Sequence, residues 1–134
     1  MAKKRVTGVG GIFFKTKDPK ETKSWYQRHL GFDTDQWGAT FAFRTEEEPE
    51  KPAYLQWSPF AQDTTYFEPS PKSYMINYRV EDLVWLVGKL KEEGVTILDE
   101  IEEYPYGKFV HILDNEGNKI ELWEAIDDKL LPEE

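Results

Sequence analysis

One local pattern occurs twice in this chain, and the repeat is the feature that most constrains its fold. Each copy predicts a strand, then a helix that begins after an aspartate, then a glycine that ends the helix. The first helix follows Asp18 and ends at Gly31, and the second follows Asp82 and ends at Gly94. The two aspartates and the two glycines are separated by nearly the same number of residues, which indicates an internal duplication.

The first helix start is strongly marked in the sequence. Asp18 can cap the helix, Pro19 suits the first helical position, and Glu21 stands where a capping box needs it. The pair Gly10-Gly11 in the preceding strand predicts a twist or a close approach of backbone to another group.

Short apolar runs separated by turn residues predict the remaining strands. They fall at residues 9–15, 32–37, 39–44 and 54–57 in the first copy, and at 74–80, 95–98, 109–113 and 119–123 in the second. Residues 101–107 are predicted to form a loop. Each copy is therefore expected to follow the order strand, helix, three strands.

This order divides the chain into one domain with internal parts. We predict a single domain over 1–134, with a first module at 6–60, a linker at 61–73, a second module at 74–126 and an acidic tail at 127–134. In the linker, Asp63 to Tyr66 is a polar run between rings. It favours either a simple turn or a lid over a pocket.

Composition excludes several classes of partner. A net charge of −9 argues against a nucleic-acid partner, because such proteins usually present a basic face. No stretch reaches the roughly 20 apolar residues of a membrane helix, so no membrane partner is expected. The absence of Cys excludes disulfides and fits a reducing compartment, so we expect a cytoplasmic protein. Aromatic residues make up 15% of the chain, which favours either a densely packed core or a ring-lined pocket.

Three sets of motifs resemble those of the vicinal oxygen chelate superfamily. They are FFKTKDP with WYQRHLGF, NYRVEDL with LKEEGV, and ILDNEGNKIELWE, and together they span about residues 6–126. The last resembles the family pattern DPxGNxxEL with Asn115 in place of Pro. The superfamily includes glyoxalase I, extradiol dioxygenases, fosfomycin-resistance proteins and bleomycin-binding proteins.

The resemblance implies an α+β fold. Two tandem βαβββ modules would form a cupped mixed sheet, with helices on the convex face and a pocket for a small-molecule ligand in the cup. Many members of the superfamily are homodimers, so the resemblance also implies a homodimer.

Enzymes of the superfamily usually hold a divalent metal with two side chains from each module. The corresponding positions here are Gly11, Met75, Leu55 or Gln56, and Glu121. Of these, Glu121 alone suits a hard cation, and catalytic sites have about three protein ligands. We therefore expect no metal and no cofactor. His111, expected on the strand beside Glu121, leaves open either a weak His/Glu ion site or an ordinary hydrogen-bonded pair.

Strand alternation predicts which side chains face the cup. On residues 74–80, Met75, Asn77 and Arg79 share one face, and the opposite, more apolar face should meet the helix. The expected cup-lining residues are Phe13, Phe41, Phe43, Met75, Asn77, Arg79, Tyr106, Phe109, His111, Glu121 and Trp123.

Some of these side chains suggest chemistry. Arg79 is placed either to clamp a carboxylate or phosphate or to pair with one of the 26 acidic residues. Asn77 is suited to orient an amide or hydroxyl, and His111 with Glu121 to act as an acid–base pair. Three functions compete: a metal-free binder of an apolar or aromatic molecule, a lyase, isomerase or dioxygenase with an atypical site, and a non-catalytic domain that acts through its dimer interface. The missing metal ligands favour the binder.

Overall fold

The computed structural model describes residues 4–127. In chain order its elements are β1 (Val6–Thr16), α1 (Pro19–Leu30), β2 (Thr34–Asp35), β3 (Gly38–Phe43), β4 (Ala53–Ala61), β5 (Tyr74–Val80), α2 (Leu83–Glu92), β6 (Glu102–Tyr104), β7 (Gly107–Leu113) and β8 (Lys119–Ala125). Within this range no helix is long and apolar enough to cross a membrane.

The eight strands form one mixed sheet in the order β2-β3-β4-β1-β5-β8-β7-β6. β1 is parallel to β4, β5 is parallel to β8, and β1 and β5 meet antiparallel at the centre. Both halves follow the order strand, helix, three strands, and the strand order of one half mirrors that of the other. The predicted α+β class with a mixed sheet is confirmed. The module boundaries at residues 60 and 74 stay predictions.

The predicted helix ends are confirmed in detail. The carboxylate of Asp18 accepts a hydrogen bond from the backbone amide of Glu21 at 3.2 Å, and Asp82 caps α2 in the same way. Gly31 ends α1 in the left-handed region, with φ 72°, and Gly94 follows α2 with φ 80°. Glycine suits both positions because it enters that region without a steric penalty.

One predicted strand is wrong. Residues 95–98 make only an isolated bridge, at Ile97, whereas β6 lies within the segment predicted to be a loop. The apolar run at 95–98 has another cause, because Val95 and Ile97 pack against the core beneath α2. The segment pairs with β7 through two backbone hydrogen bonds, from Leu98 to His111 and from Leu113 to Thr96, which is too short a pairing to make a strand.

The two helices contribute unequally to the core. Leu83, Leu86 and Val87 of α2 are buried against β7 and β8. No residue of α1 is fully buried, and its main contact with the sheet is Tyr26, whose ring meets Phe14 and Trp57. The first half therefore leaves an apolar surface on its helix side.

Candidate functional site

The face of the sheet opposite the helices holds a cavity of about 1020 Å³. The alternation along the central strands creates it: Phe13, Asn77 and Glu121 face the cavity, whereas their neighbours Phe14 and Leu122 pack toward the helices. The lining residues are Gly10, Phe13, Asp35, Gln36, Trp37, Thr40, Gln56, Ser58, Pro59, Phe60, Tyr66, Asn77, Tyr106, Phe109, Glu121 and Trp123.

Seven of these residues are aromatic, and six of them form two groups of rings. In the second half, Phe109 stacks on Trp123 with centroids 5.7 Å apart, and Tyr106 meets Phe109 edge-on. The other group lies toward β4 and the segment that follows it, where Tyr66 stacks on Phe60 at 5.7 Å. Phe13 completes this second group with an edge contact to Phe60.

The polar floor of the cavity is centred on Glu121, which is 4% exposed. Asn77 Nδ2 donates to one carboxylate oxygen at 2.6 Å, and the Tyr66 hydroxyl donates to the other at 2.6 Å. His111 Nε2 lies 2.8 Å from the same oxygen as Tyr66. Both oxygens of this carboxylate are thus engaged by side chains of the protein.

His111 lies behind Glu121, between two carboxylates. Its Nδ1 is 2.6 Å from Asp99, and its backbone amide donates to the same carboxylate. Burial lowers the pKa of His111, but the hydrogen bonds and charges of Glu121 and Asp99 outweigh burial and raise the pKa above its ordinary 6.5. With both ring nitrogens facing carboxylates, the imidazolium form satisfies both contacts.

Burial, and then the charge of Glu121, raise the pKa of Tyr66 far above its ordinary value. The phenol therefore stays protonated and donates to Glu121. Tyr66 belongs to the Asp63–Tyr66 run, for which the sequence left a lid and a turn open. The segment forms turns at 62–63 and 66–69, and the Tyr66 side chain lines the cavity, while a role as a lid stays a prediction.

Arg79 does not line the cavity. Its guanidinium forms an ion pair with Asp127 and donates to the Tyr54 carbonyl. It also lies 5.6 Å from the Phe43 ring centroid and 5.2 Å from that of Trp123. Of the two roles expected for Arg79, the structure shows pairing with an acidic residue of the chain. Residues 128–134 of the predicted acidic tail lie outside the described residues.

The sequence correctly placed six of its expected residues at the cavity. They are Phe13, Asn77, Tyr106, Phe109, Glu121 and Trp123. Phe41, Phe43, Met75 and His111 do not line it. The pleat of β3 sends Thr40 to the cavity and Phe41 to the helix side, where Phe41 contacts Phe32. Met75 is fully buried in a cluster with Phe13 and Phe67.

The register of the central strands also corrects the expected metal positions. Asn77, and not Met75, lies beside both Gly11 and Glu121, whereas Met75 pairs with Phe13. A bulge in β1 at Gly10 contributes to this register. A Cβ on Gly10 would lie only 2.4 Å from Asn77 Oδ1, so the close approach predicted for the glycine pair is confirmed.

The lining residues that sequence reasoning missed come mostly from the first half. Phe60 and Ser58 alternate with Gln56, which the sequence named only as a possible metal position, so a predicted strand longer than 54–57 would have revealed them. Asp35 and Trp37 come from the short β2 turn, which carries no comparable signal.

The side chains at the superfamily's metal positions do not fit a divalent cation. Gly11 has no donor, the Asn77 amide group donates to Glu121, and both Glu121 oxygens accept hydrogen bonds. Both nitrogens of His111 face carboxylates, so neither offers a free lone pair. Across residues 4–127, no group of three His, Cys, Asp or Glu residues is arranged to hold a metal.

Comparison with known proteins agrees with the architecture. The family model for the Glyoxalase/Bleomycin resistance protein/Dioxygenase superfamily matches residues 9–122, which is most of the chain. The chain belongs to this superfamily. No curated protein sequence matches it.

Solved structures of the superfamily share the fold. Methylmalonyl-CoA epimerase from Mycobacterium tuberculosis has 20% identity and a TM-score of 0.64 over 96% of this chain and 94% of that chain. A variant of the Streptomyces coelicolor epimerase, in complex with 2-nitronate-propionyl-CoA, has 17% identity and a TM-score of 0.65 over 90% and 99%. The Mn(II)-bound glyoxalase from Novosphingobium aromaticivorans has 14% identity and a TM-score of 0.60, over 90% of this chain and 40% of that chain.

The raised pKa of His111 predicts a pH dependence of stability. Because the folded-state pKa is raised, the contribution of the imidazolium is fully present below the unfolded pKa near 6.5 and is lost as pH rises through the folded pKa. The free energy of unfolding, measured by urea denaturation, should therefore differ less between wild type and His111→Gln as the pH is raised through the folded-state pKa of His111. NMR titration of the His111 ring, assigned with His29→Gln, should give a pKa above 6.5. A pKa at or below 6.5 would contradict a positively charged His111 held between Glu121 and Asp99.

Proposed function

We propose that this protein binds an apolar or aromatic small molecule in its cavity, and that it does so without a resident divalent metal. The observation that carries the proposal is a cavity of about 1020 Å³ that is lined mainly by aromatic rings. The polar side chains at its floor, Glu121, Asn77 and Tyr66, hydrogen-bond to one another. Small-molecule pockets are mostly apolar, have volumes of about 300–1000 Å³ and contain few polar groups.

The ligands named for two similar structures do not suit this cavity. One holds an acyl-CoA analogue and the other Mn(II). A coenzyme A ligand carries phosphates, for which a basic residue is the usual partner, and none of the described residues that line this cavity is basic. A catalytic metal site has about three protein ligands, whereas no three His, Cys, Asp or Glu side chains among residues 4–127 are grouped to hold one.

A second candidate function is an acid–base lyase, isomerase or dioxygenase with an atypical site. A specific observation favours it: Glu121, His111 and Asp99 form a hydrogen-bonded chain from the cavity to a partly exposed carboxylate. Such a chain is suited to move a proton between a bound molecule and solvent. This candidate requires Glu121→Gln to abolish any turnover that a substrate screen detects, and unchanged turnover would rule it out.

We also propose that the protein is a cytoplasmic homodimer. The superfamily resemblance supports the dimer, as does the apolar surface that α1 leaves open, where Trp25, Leu30 and Phe41 are 47%, 58% and 41% exposed. Leu30→Glu should shift sedimentation equilibrium toward the monomer, whereas Val84→Glu, at an equally exposed position on α2, should not. A wild-type protein that is monomeric at micromolar concentration would contradict the dimer.

Trp37 offers a direct test of binding in the cavity. It is 70% exposed at the cavity, so its removal should leave the fold intact. Trp37→Ala should weaken the binding of quinoline, a neutral two-ring probe, by about two- to tenfold, the loss expected for one aromatic contact. Trp25→Ala, which removes an exposed ring on the opposite side, is the matched control. Calorimetric titration that gives equal affinities for both variants would place the binding site elsewhere.

Metal content tests the proposal that the protein holds no resident divalent metal. Elemental analysis of tag-free protein, before and after incubation with nickel, zinc, manganese and iron salts, should show far less than one equivalent per chain. The reason is that the side chains of Asn77, Tyr66 and His111 form hydrogen bonds with Glu121. About one tightly bound equivalent would overturn the metal-free proposal and favour a metal-dependent enzyme.

A further inference from the structure

We propose that the ligand of this cavity is a planar aromatic cation. The inference rests on the proposed binding function and adds the charge and shape of the ligand. Three observations carry it: the sign of the charges at the cavity, the use of its hydrogen-bond donors, and the arrangement of its rings.

The only charged side chains among the described lining residues are two carboxylates, those of Asp35 and Glu121. Asp35 is exposed, and its Oδ1 accepts the backbone amides of Trp37 and Gly38 at 2.8 and 3.1 Å. A second negative charge therefore stands at the margin of the cavity, fixed by the turn after β2. Two carboxylates favour a cationic ligand and disfavour an anionic one.

The cationic side chains near the cavity point to other partners. Lys23 Nζ donates to the backbone carbonyls of Asp35 and Gln36 at 3.2 and 3.3 Å. Lys119 Nζ donates to the carbonyl of Tyr66, and the Arg79 guanidinium is neutralised by Asp127. None of these three basic residues lines the cavity.

The positive charge of His111 is also balanced. Its two ring nitrogens face Asp99 and Glu121, so the three groups together keep a net negative charge. The ammonium group of Lys119 interacts with Asp99 and Glu121 and offsets part of this charge, but it does not line the cavity.

Six of the side-chain hydrogen-bond donors that line the cavity are engaged within the protein. Thr40 donates to Gln56, and Ser58 donates to the backbone carbonyl of Trp37. Gln56 donates to Ser58, and the Trp123 indole donates to the carbonyl of Tyr106. The Tyr66 and Asn77 groups described above donate to Glu121. A carboxylate or phosphate ligand would find these donors occupied, and leaving an anion unpaired in a cavity is costly.

The rings supply the matching surface. Electron-rich faces of aromatic rings attract cations. Arg79 already lies 5.2 Å over Trp123 and Lys119 lies 5.0 Å over Tyr66, so the exposed Trp37 offers the open aromatic face to a ligand. Phe109 and Trp123 are nearly parallel, at 8°, and Phe60 and Tyr66 are nearly parallel, at 4°. Flat stacked walls favour a planar ligand.

Three probes of similar size separate charge from shape. They are N-methylquinolinium, a cation; quinoline, neutral at slightly alkaline pH; and 2-naphthoate, an anion. Calorimetric titration at low salt should rank their affinities in that order, with the cation binding at least about tenfold more tightly than the anion, as expected for a cation over rings beside carboxylates. Added salt should reduce the affinity for N-methylquinolinium and leave that for quinoline nearly constant.

A single substitution tests the role of Asp35. Asp35→Asn keeps an oxygen to accept the two backbone amides but removes the charge. It should lower the ratio of cation affinity to neutral affinity by about threefold or more, an effect of the size expected for an exposed charge. Asp33→Asn, two residues away on an exposed side chain that does not line the cavity, should leave the ratio unchanged.

The outcomes distinguish this inference from the binding function itself. Equal affinities for the three probes, or tightest binding of 2-naphthoate, would overturn the cation inference while the binding function stands. Binding of none of the three would overturn both. A cation preference that Asp35→Asn and Asp33→Asn reduce equally would show that overall charge, and not the cavity, selects the ligand, which also overturns the inference.

Discussion

The buried carboxylate of Glu121 is the group on which the rest of the cavity depends. A charge with so little exposure is stable only if nearby donors replace water. Here the donors come from three parts of the chain: Asn77 on β5, His111 on β7, and Tyr66 in the segment between the two halves. Satisfying this one carboxylate therefore ties the second half of the sheet to the connecting segment. It also turns inward the groups that a metal or an anionic ligand would need.

The same rule explains the other buried charges. His111 is held between Glu121 and Asp99, and Arg79 is held by Asp127 between the rings of Phe43 and Trp123. Each buried cation is matched by a carboxylate of the chain, as burial requires. The surface that remains open to a ligand is consequently made of rings, uncharged polar groups and the carboxylate of Asp35. These contacts are the physical basis for the metal-free binding site proposed above.

Sequence reasoning succeeded where the cause of the structure is local. Helix ends depend on residues within one turn, so the sequence pattern identifies the caps at Asp18 and Asp82 and the glycine at Gly31. It failed where burial imitates another pattern, as in the apolar run at 95–98. It also failed for Phe41, because the face that each residue of β3 presents depends on its register with β4.

By itself, the sequence determined the order of the elements, their caps, the α+β class and six of the lining residues, because these follow from local propensity and from alternation along the longer strands. The tertiary structure alone decided how the strands align. The bulge at Gly10 helps to set Asn77, and not Met75, beside Gly11, and the pairing of β5 with β8 sets Asn77 beside Glu121. It also decided that Tyr66 reaches the floor and that Arg79 is neutralised by Asp127. These contacts join residues more than 40 positions apart, and no local pattern encodes which distant partner a buried charge will find.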